Sequence, residues 1–207
     1  MMGARLDPFG ARLDDLDGPR LGGTVGPPLP GVSVRIVDER GEPCATGAIG
    51  AIQVKGPNVL KGYWNLPDKT REEFTADGWF RTGDMGEWTP EGYVRIVGRA
   101  KDLIITGGLN VYPKEVEERI DALEGVAESA VIGVPHPDFG EAVTAIVVAK
   151  PGHALTEGAI IGALKGEIAS FKVPKRVVFM LDLPRNAMGK VVKAELRAKL
   201  GGTAGAA

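Results

Sequence analysis

The stretch GRAKDLIITGGLNVYP, residues 98–113, marks a change in the pattern of the sequence. Before it, residues 24–98 carry short apolar runs separated by turns rich in glycine and proline, which is typical of strands joined by turns. After it, apolar runs of strand length alternate with amphipathic segments at helical spacing. We therefore place a domain boundary near residues 99–101. We predict a small β-rich subdomain over 24–98 and an α+β domain over 99–200.

In the first unit, alternation of apolar and polar residues predicts strands at 32–36 and 52–54. Pro67 favours a short helix through Phe74 because proline suits the first turn. The turn sequence 89–92 between Trp88 and the apolar run 93–97 predicts a hairpin.

In the second unit, Pro113 opens a predicted helix, and Thr156 is a good N-cap for another with Ile160, Leu164 and Ile168 on one face. Apolar runs predict three strands, and a last helix is predicted near the end of the chain. The segments concerned are 130–134, 143–149 and 177–181 for the strands and 193–200 for the helix.

Composition excludes several classes of protein. The 207 residues carry 25 basic and 27 acidic side chains, a net charge of −2, so nothing indicates a nucleic-acid or membrane-surface partner. Cys44 is the only cysteine, which excludes a disulfide scaffold, and with only His136 and His153 we expect no metal site. No apolar run reaches 18 residues and no signal peptide is recognisable, so we expect a cytoplasmic protein.

The two ends of the chain look irregular. Residues 1–23 mix charge, proline and glycine without a period, and we expect poor order there. The tail 201–207 is expected to be disordered.

The first candidate site is the segment WFRTGD, residues 79–84. A carboxylate at Asp84, following a strand and a glycine, can accept two hydrogen bonds from a vicinal diol such as a ribose. The alternative is a turn aspartate that binds its own backbone, and from this segment alone that alternative is the commoner case.

The second candidate is the stretch 98–113 itself. Arg99 and Lys101 precede an apolar strand, and Gly107-Gly108 follow it, where a thin ligand could lie against the backbone. An interdomain linker followed by an ordinary hairpin turn explains the same residues equally well.

The third candidate is LPRNAMGKVVK, residues 183–193, a glycine-supported loop that carries Lys190. A lysine at a loop tip can bring a mobile positive charge to a phosphate or a carboxylate, although most lysines are simply solvated. Lys172, in the short basic segment 170–175, could hold a nucleotide phosphate, with a solvated face as the alternative.

Together and in this order, the three segments resemble the adenylate-forming superfamily, which includes acyl-CoA synthetases, luciferases and nonribosomal adenylation domains. The resemblance runs from about residue 23 to residue 200. Residues 131–141 (VIGVPHPDFGE) and 184–190 (PRNAMGK) are most similar to malonyl-CoA synthetases. The fold it implies is the β-rich end of the large adenylation domain followed by the mobile α+β C-terminal domain.

The resemblance implies a role for each candidate residue. Asp84 and Arg99 would bind the ribose of ATP and acyl-AMP, and Lys101 would be the hinge about which the small domain rotates. Gly107 and Gly108 would lie beside the pantetheine arm of CoA. Lys190 would contact the carboxylate and the α-phosphate during adenylation, where negative charge builds up; Lys172 is the further cofactor-binding candidate.

In this superfamily the glycine-rich phosphate loop, the Thr-Glu segment for adenine and magnesium, and most of the acyl pocket lie upstream of the part that residues 24–98 resemble. We therefore expect ATP, CoA and a small carboxylic acid as substrates, with Mg²⁺ ligands outside these 207 residues. We also expect little activity from the chain alone.

Two hypotheses follow. The chain is the C-terminal part of an acid–thiol ligase, an AMP-forming acyl-CoA synthetase acting on malonate or a related short acid, within a longer enzyme or beside a separately encoded N-terminal portion. Alternatively, it is a non-catalytic remnant that binds CoA or a partner. A nonribosomal adenylation domain fits less well, because the lysine motif has the acyl-CoA ligase form.

Overall fold

A computed structural model describes residues 24–201 of the chain. It divides the chain into two compact units between Ala100 and Lys101, within a short 3-10 helix over Ala100–Asp102. The sequence predicts a boundary near residues 99–101, with units over 24–98 and 99–200. The expectations for residues 1–23 and 202–207 fall outside the described residues.

The first unit is a four-stranded antiparallel sheet in the order β1-β2-β3-β4, with one short helix. Side chains from three strands, Ile36, Ile52 and Val94, form its buried core. The elements are β1 (Ser33–Val37), β2 (Gly50–Lys55), α1 (Pro67–Glu73), β3 (Phe80–Trp88) and β4 (Val94–Arg99).

The strands, helix and hairpin predicted for this unit are confirmed, and β3 continues from Phe80 to Trp88. The pairing of β3 with β4 shifts between Met85 and Gly86, so the alternation of apolar residues is interrupted there. A Cβ at Gly86 would lie 2.5 Å from the carbonyl oxygen of Arg95. Glycine is therefore required where the two strands approach each other. Because glycine has no side chain, it interrupts the alternation of apolar and polar residues from which a strand is predicted.

The second unit is a mixed sheet with helices on both faces. Its strands are ordered β6-β5-β8-β7, and β9 pairs with β8 in parallel. The elements are β5 (Ile104–Thr106), β6 (Leu109–Val111), α2 (Pro113–Asp121), β7 (Val126–His136), β8 (Gly140–Ala149), α3 (Glu157–Leu164), β9 (Arg176–Phe179) and α4 (Lys193–Gly201).

The long antiparallel pair β7–β8 lies at the centre of this unit. On one face, Val131 and Val143 pack in a cluster that includes residues of α2 and α3, and on the other, Ile132 and Ile146 pack against Leu196 of α4. Because both faces are buried, these strands are continuous apolar runs rather than alternating ones. The predicted α+β class is confirmed.

Several boundaries differ from the expectation. The helix that follows Thr156 ends at Leu164, because Gly166 turns the chain with φ +92°, so Ile168 packs beside the core from outside the helix. His136 is the last residue of β7. Gly201, expected in the tail, belongs to α4.

Among residues 24–201, no helix is long and apolar enough to cross a membrane.

Thr156 begins α3 as expected, since its hydroxyl oxygen accepts a hydrogen bond from the backbone N–H of Ala159 at 3.2 Å. Thr156→Ala should lower the free energy of unfolding of the chain by about 1 kcal/mol, because an N–H at the helix start loses its acceptor. Thr156→Ser, which keeps the hydroxyl, should recover most of the loss. Urea denaturation checks both variants, and equal losses would contradict a capping role.

Candidate functional site

In the first unit, Asp84 and Arg99 form one small polar cluster. They are paired across strands β3 and β4, and Arg99 Nε lies 2.9 Å from Asp84 Oδ1. Arg99 also donates a hydrogen bond to the carbonyl oxygen of Thr82, at 3.1 Å, while the backbone N–H of Asp84 donates to the Thr82 hydroxyl oxygen. Gly83, with φ +74°, lies within β3 at the irregularity between the pairs Gln53–Arg81 and Ala51–Met85.

Asp84 is the more buried of the two charged residues. Its side chain is 21% exposed against 52% for Arg99, so the carboxylate is partly removed from water while the guanidinium remains wet. Burial raises the pKa of Asp84, and the nearby Arg99 and the bond to Thr82 oppose the rise without cancelling it. A half-buried carboxylate beside a partly exposed guanidinium suits a hydroxyl donor.

An apolar cavity of about 280 Å³ adjoins this cluster. Asp84 and Thr82 are among its few polar lining residues. The apolar residues that line it include Val25, Leu29, Val34, Ile52, Val94 and Ile96. The carboxylate is thus a directional polar group beside apolar surface, an arrangement common in small-molecule sites.

In the second unit, Gly107 and Gly108 form the two-residue turn of the β5–β6 hairpin. Their φ angles are +57° and +76°, as a type I′ turn requires, and a Cβ at Gly108 would meet nothing within 4 Å. Of the two alternatives that the sequence allowed for this segment, the ordinary hairpin turn is therefore present. The same turn leaves a strip of bare backbone facing open space.

Apolar side chains flank this turn and remain in solvent. Ile105, Leu109 and Phe139 are each between 39% and 52% exposed. The ammonium of Lys175 lies 5.6 Å from the centre of the Phe139 ring. An exposed apolar surface beside bare backbone and a cation suits a thin, partly aliphatic ligand that carries negative charge.

Two contacts hold the glycine hairpin to the turn between β7 and β8. The backbone N–H of Gly107 donates to the carbonyl oxygen of Phe139, and the N–H of Ile105 donates to Glu141 Oε2, both at 2.8 Å. Glu141 was not identified from the sequence. Its place opposite Ile105 is a long-range contact that no local pattern indicates.

Lys190 is the last residue of a tight loop between β9 and α4. Its side chain is exposed, and it has no hydrogen-bond or ion-pair partner within the part of the chain that the structure describes. The loop is closed by a hydrogen bond from the backbone N–H of Asn186 to the carbonyl oxygen of Lys190 and by Gly189, whose φ is +77°. Lys190 is therefore a free cation on an ordered backbone.

The other two candidate lysines, Lys172 and Lys101, differ in whether their ammonium groups are paired with a carboxylate among the described residues. The ammonium of Lys172 is bound to both oxygens of Glu115, at 2.7 and 2.8 Å, and lies 5.7 Å from the centre of the Phe171 ring. Lys101 is exposed in the 3-10 helix and has no partner among residues 24–201. Glu115 therefore competes with any phosphate for the Lys172 ammonium.

The glycine turn and the Lys190 loop are attached near opposite ends of the β7–β8 hairpin. The glycine hairpin is hydrogen-bonded to Phe139 and Glu141, whereas Arg185 of the lysine loop forms an ion pair with Glu128. Glu128 and Pro135, the partner of Glu141, are separated on β7 by about 23 Å at roughly 3.3 Å per residue. The two candidate loops of this unit therefore do not form one site.

No group of three His, Cys, Asp or Glu side chains within residues 24–201 is placed to hold a metal ion.

Comparison with known families identifies the class of protein. The profile of the AMP-binding enzyme C-terminal domain matches residues 115–190, and that of the AMP-binding enzyme matches residues 8–64. The chain belongs to the AMP-binding enzymes and corresponds to their C-terminal region. The family predicted from the sequence is confirmed.

Individual relatives agree with this assignment. Indoleacetate–CoA ligase of Aromatoleum aromaticum is 43% identical over 190 residues, 92% of this chain and 37% of that enzyme. A long-chain-fatty-acid–CoA ligase of Salmonella typhimurium is 42% identical over 175 residues, 84% of this chain and 31% of that enzyme. The chain thus spans about a third of the length of these curated relatives.

Among solved structures, ATP-bound MatB from Rhodopseudomonas palustris is 57% identical and superposes with a TM-score of 0.84. The match covers 91% of this chain and 38% of that chain.

The raised pKa of Asp84 predicts how the free energy of unfolding depends on pH. Because the pKa of Asp84 in the folded chain lies above the ordinary value of 3.8, protonation of Asp84 stabilises the folded chain relative to the unfolded chain. This contribution is fully present below pH 3.8 and is lost as the pH rises through the folded pKa. Asp84→Asn should therefore raise the free energy of unfolding at pH 7 but not at pH 3.

Urea denaturation of both chains across this pH range measures the effect. As a second arm, Arg99→Ala removes a group that lowers the pKa of Asp84, so the carboxyl should titrate at still higher pH by NMR. A difference between Asp84→Asn and the parent chain that is the same at both pH values would contradict the interpretation.

Proposed function

We propose that this chain is the C-terminal part of an ATP-dependent acyl-CoA ligase, in which it serves two successive reactions. In the first, a carboxylate attacks the α-phosphorus of ATP, and pyrophosphate leaves. In the second, the thiol of CoA attacks the acyl carbon of the acyl-AMP, and AMP leaves. The observation that carries the proposal is the attachment of the Lys190 loop and the glycine turn near opposite ends of one rigid sheet.

Lys190 has the properties that the first reaction requires. Negative charge accumulates on the oxygens around phosphorus as the carboxylate attacks, and a positive charge placed there stabilises the transition state. Because the ammonium of Lys190 has no partner within residues 24–201, it can bind the substrate without first breaking an ion pair.

The glycine turn suits the second reaction. The pantetheine arm of CoA is a narrow, largely aliphatic chain, and the bare backbone at Gly107 and Gly108 leaves room for it. The exposed side chains of Ile105, Leu109 and Phe139 offer apolar contacts to such an arm. In this proposal the second reaction needs no cation from the Lys190 loop.

The remaining candidates complete the proposal. Asp84 accepts hydrogen bonds from the ribose hydroxyls of ATP and acyl-AMP, and Arg99 assists by holding the carboxylate and contacting the same ribose. Lys101 acts as the hinge between the two reactions, and Lys172 binds a cofactor phosphate when it releases Glu115.

We propose malonate or a related short acid as the carboxylate. The identity to MatB, a malonyl-CoA synthetase, is 57%, compared with 43% for the indoleacetate ligase and 42% for the fatty-acid ligase. The motifs at residues 131–141 and 184–190 support the same branch.

Lys190→Ala should lower the rate of acyl-AMP formation by about 10²–10³ and leave the conversion of supplied acyl-AMP and CoA to thioester nearly unchanged, because only the first reaction uses this charge. The assay uses an enzyme reconstituted from this chain and the upstream region of Rhodopseudomonas palustris MatB. Each half-reaction is followed separately, by pyrophosphate release and by thioester formation.

Lys199→Ala is the matched control, since Lys199 is also exposed, on α4, and without a partner among the described residues. It should leave both half-reactions unchanged. Equal loss in both half-reactions with Lys190→Ala would contradict the two-state assignment. A reconstituted enzyme that binds CoA but supports neither reaction would indicate the non-catalytic module instead.

Gly108→Leu should show the reverse pattern, with slow thioester formation and nearly normal acyl-AMP formation, because a side chain at the turn obstructs the pantetheine arm. Gly152→Leu is the control for backbone strain. Gly152 has φ +81° and open space around its Cβ position, so both variants carry a similar left-handed penalty of about 1–2 kcal/mol. Slow thioester formation in both variants would attribute the effect to strain rather than obstruction.

A further inference from the structure

The position of Lys190 depends on its backbone alone. Its side chain binds nothing within the described part of the chain, so no contact of the ammonium holds it in place. The neighbouring Ala187 and Met188 are also exposed, and the Met188 side chain is 79% exposed. Leu183 and Val191, on either side of the loop, pack against the buried cluster around α4. Apolar packing therefore anchors the two ends of the loop, and polar contacts order the tip that carries Lys190.

Those contacts converge on the peptide group between Gly189 and Lys190. Arg185 Nη1 donates a hydrogen bond to the carbonyl oxygen of Gly189 at 2.8 Å. The N–H of Lys190 donates to the side-chain oxygen of Asn186 at 3.0 Å. Both ends of a single peptide group are thus held by side chains, immediately before the Cα that carries the lysine.

The arginine that holds this peptide is itself attached to the sheet. Arg185 Nη2 forms an ion pair with Glu128 Oε2 on β7. Neighbouring residues of β7, Ala130 and Ile132, are buried against α4, so the strand that carries Glu128 is rigid. A continuous chain of contacts therefore runs from the core of the unit through Glu128 and Arg185 to the backbone of Lys190.

We propose that Arg185 is a positioning residue for Lys190, and that its ion pair with Glu128 fixes the lysine for the adenylation reaction. The inference rests on the proposed role of Lys190 and goes beyond it. The guanidinium is suited to the task because it donates to the carbonyl and to the carboxylate at the same time with fixed geometry. Lysine has a single nitrogen and cannot reproduce this rigid fork.

The ion pair has little value for the stability of the fold. Arg185 and Glu128 are 40% and 30% exposed, and pairs of that kind contribute little to stability. Displacement of a catalytic group by about 1 Å, in contrast, can slow a reaction by about a hundredfold. The two roles therefore predict different results in the same variant.

Arg185→Ala in the reconstituted enzyme should lower kcat for acyl-AMP formation about tenfold to a hundredfold and leave thioester formation from supplied acyl-AMP unchanged. Arg185→Lys should restore only part of the rate. Arg119→Ala is the matched control, because it also removes an arginine from an exposed Arg–Glu pair, that with Glu167, elsewhere in the unit. It should change neither rate.

A double variant separates positioning from a general structural effect. If Arg185 acts through Lys190, Arg185→Ala combined with Lys190→Ala should be no slower in adenylation than Lys190→Ala alone. Multiplication of the two losses would overturn the proposal. Loss of adenylation with Lys190→Ala but not with Arg185→Ala would also overturn it while leaving the proposed function intact; an unchanged rate with Lys190→Ala would overturn the proposed function itself.

A second measurement needs neither activity nor the arginine variant. In the 207-residue chain, Glu128→Gln removes the charge that holds Arg185 and should speed hydrogen exchange of the Lys190 N–H several-fold, as measured by NMR. The N–H of Ile146, a buried residue of β8, should exchange as slowly as in the parent chain. Unchanged exchange at Lys190 would show that the ion pair does not order the loop and would overturn the proposal.

Discussion

The burial of the β7–β8 hairpin on both faces is the constraint on which the second unit depends. Val131 and Val143 face one helical layer, and Ile132 and Ile146 face the other, so neither strand can slip by one residue without exchanging its buried faces. That fixed register sets the places of Glu128 and Glu141. Because the hairpin is long, those two carboxylates hold loops near its opposite ends.

Several basic residues of this unit are held in ion pairs, whereas the ammonium of Lys190 has no such partner among residues 24–201. Glu115 binds Lys172, Glu117 binds Lys193, and Asp102 binds Arg197. Lys190 lies among these paired residues in sequence but has no carboxylate of its own within the described residues. A lysine that is held by its backbone and is free at its ammonium can meet a substrate at little cost, since no existing pair must be broken.

In the first unit a functional candidate is held at some cost to stability. Asp84 is partly buried, and its pKa is raised despite the neighbouring Arg99, so its charged form is disfavoured by the fold. Groups of this kind are common at binding sites, where a ligand later supplies the missing hydrogen bonds. This interpretation agrees with the apolar surface beside Asp84, which leaves the carboxylate as one of few directional groups there.

Local patterns in the sequence were enough to predict most strands, the helices α1–α4 and the α+β class, because alternation, proline and N-capping residues act over a few neighbours. The motifs around Asp84, Gly107-Gly108 and Lys190 were also visible, since glycine and charge stand out in any local window. Only the tertiary structure decided that Glu141 and Glu128 hold two of these loops near opposite ends of one hairpin. Those contacts join residues 36 and 57 positions apart, and side-chain hydrogen bonds over such distances depend on strand register and packing, which leave no local signature.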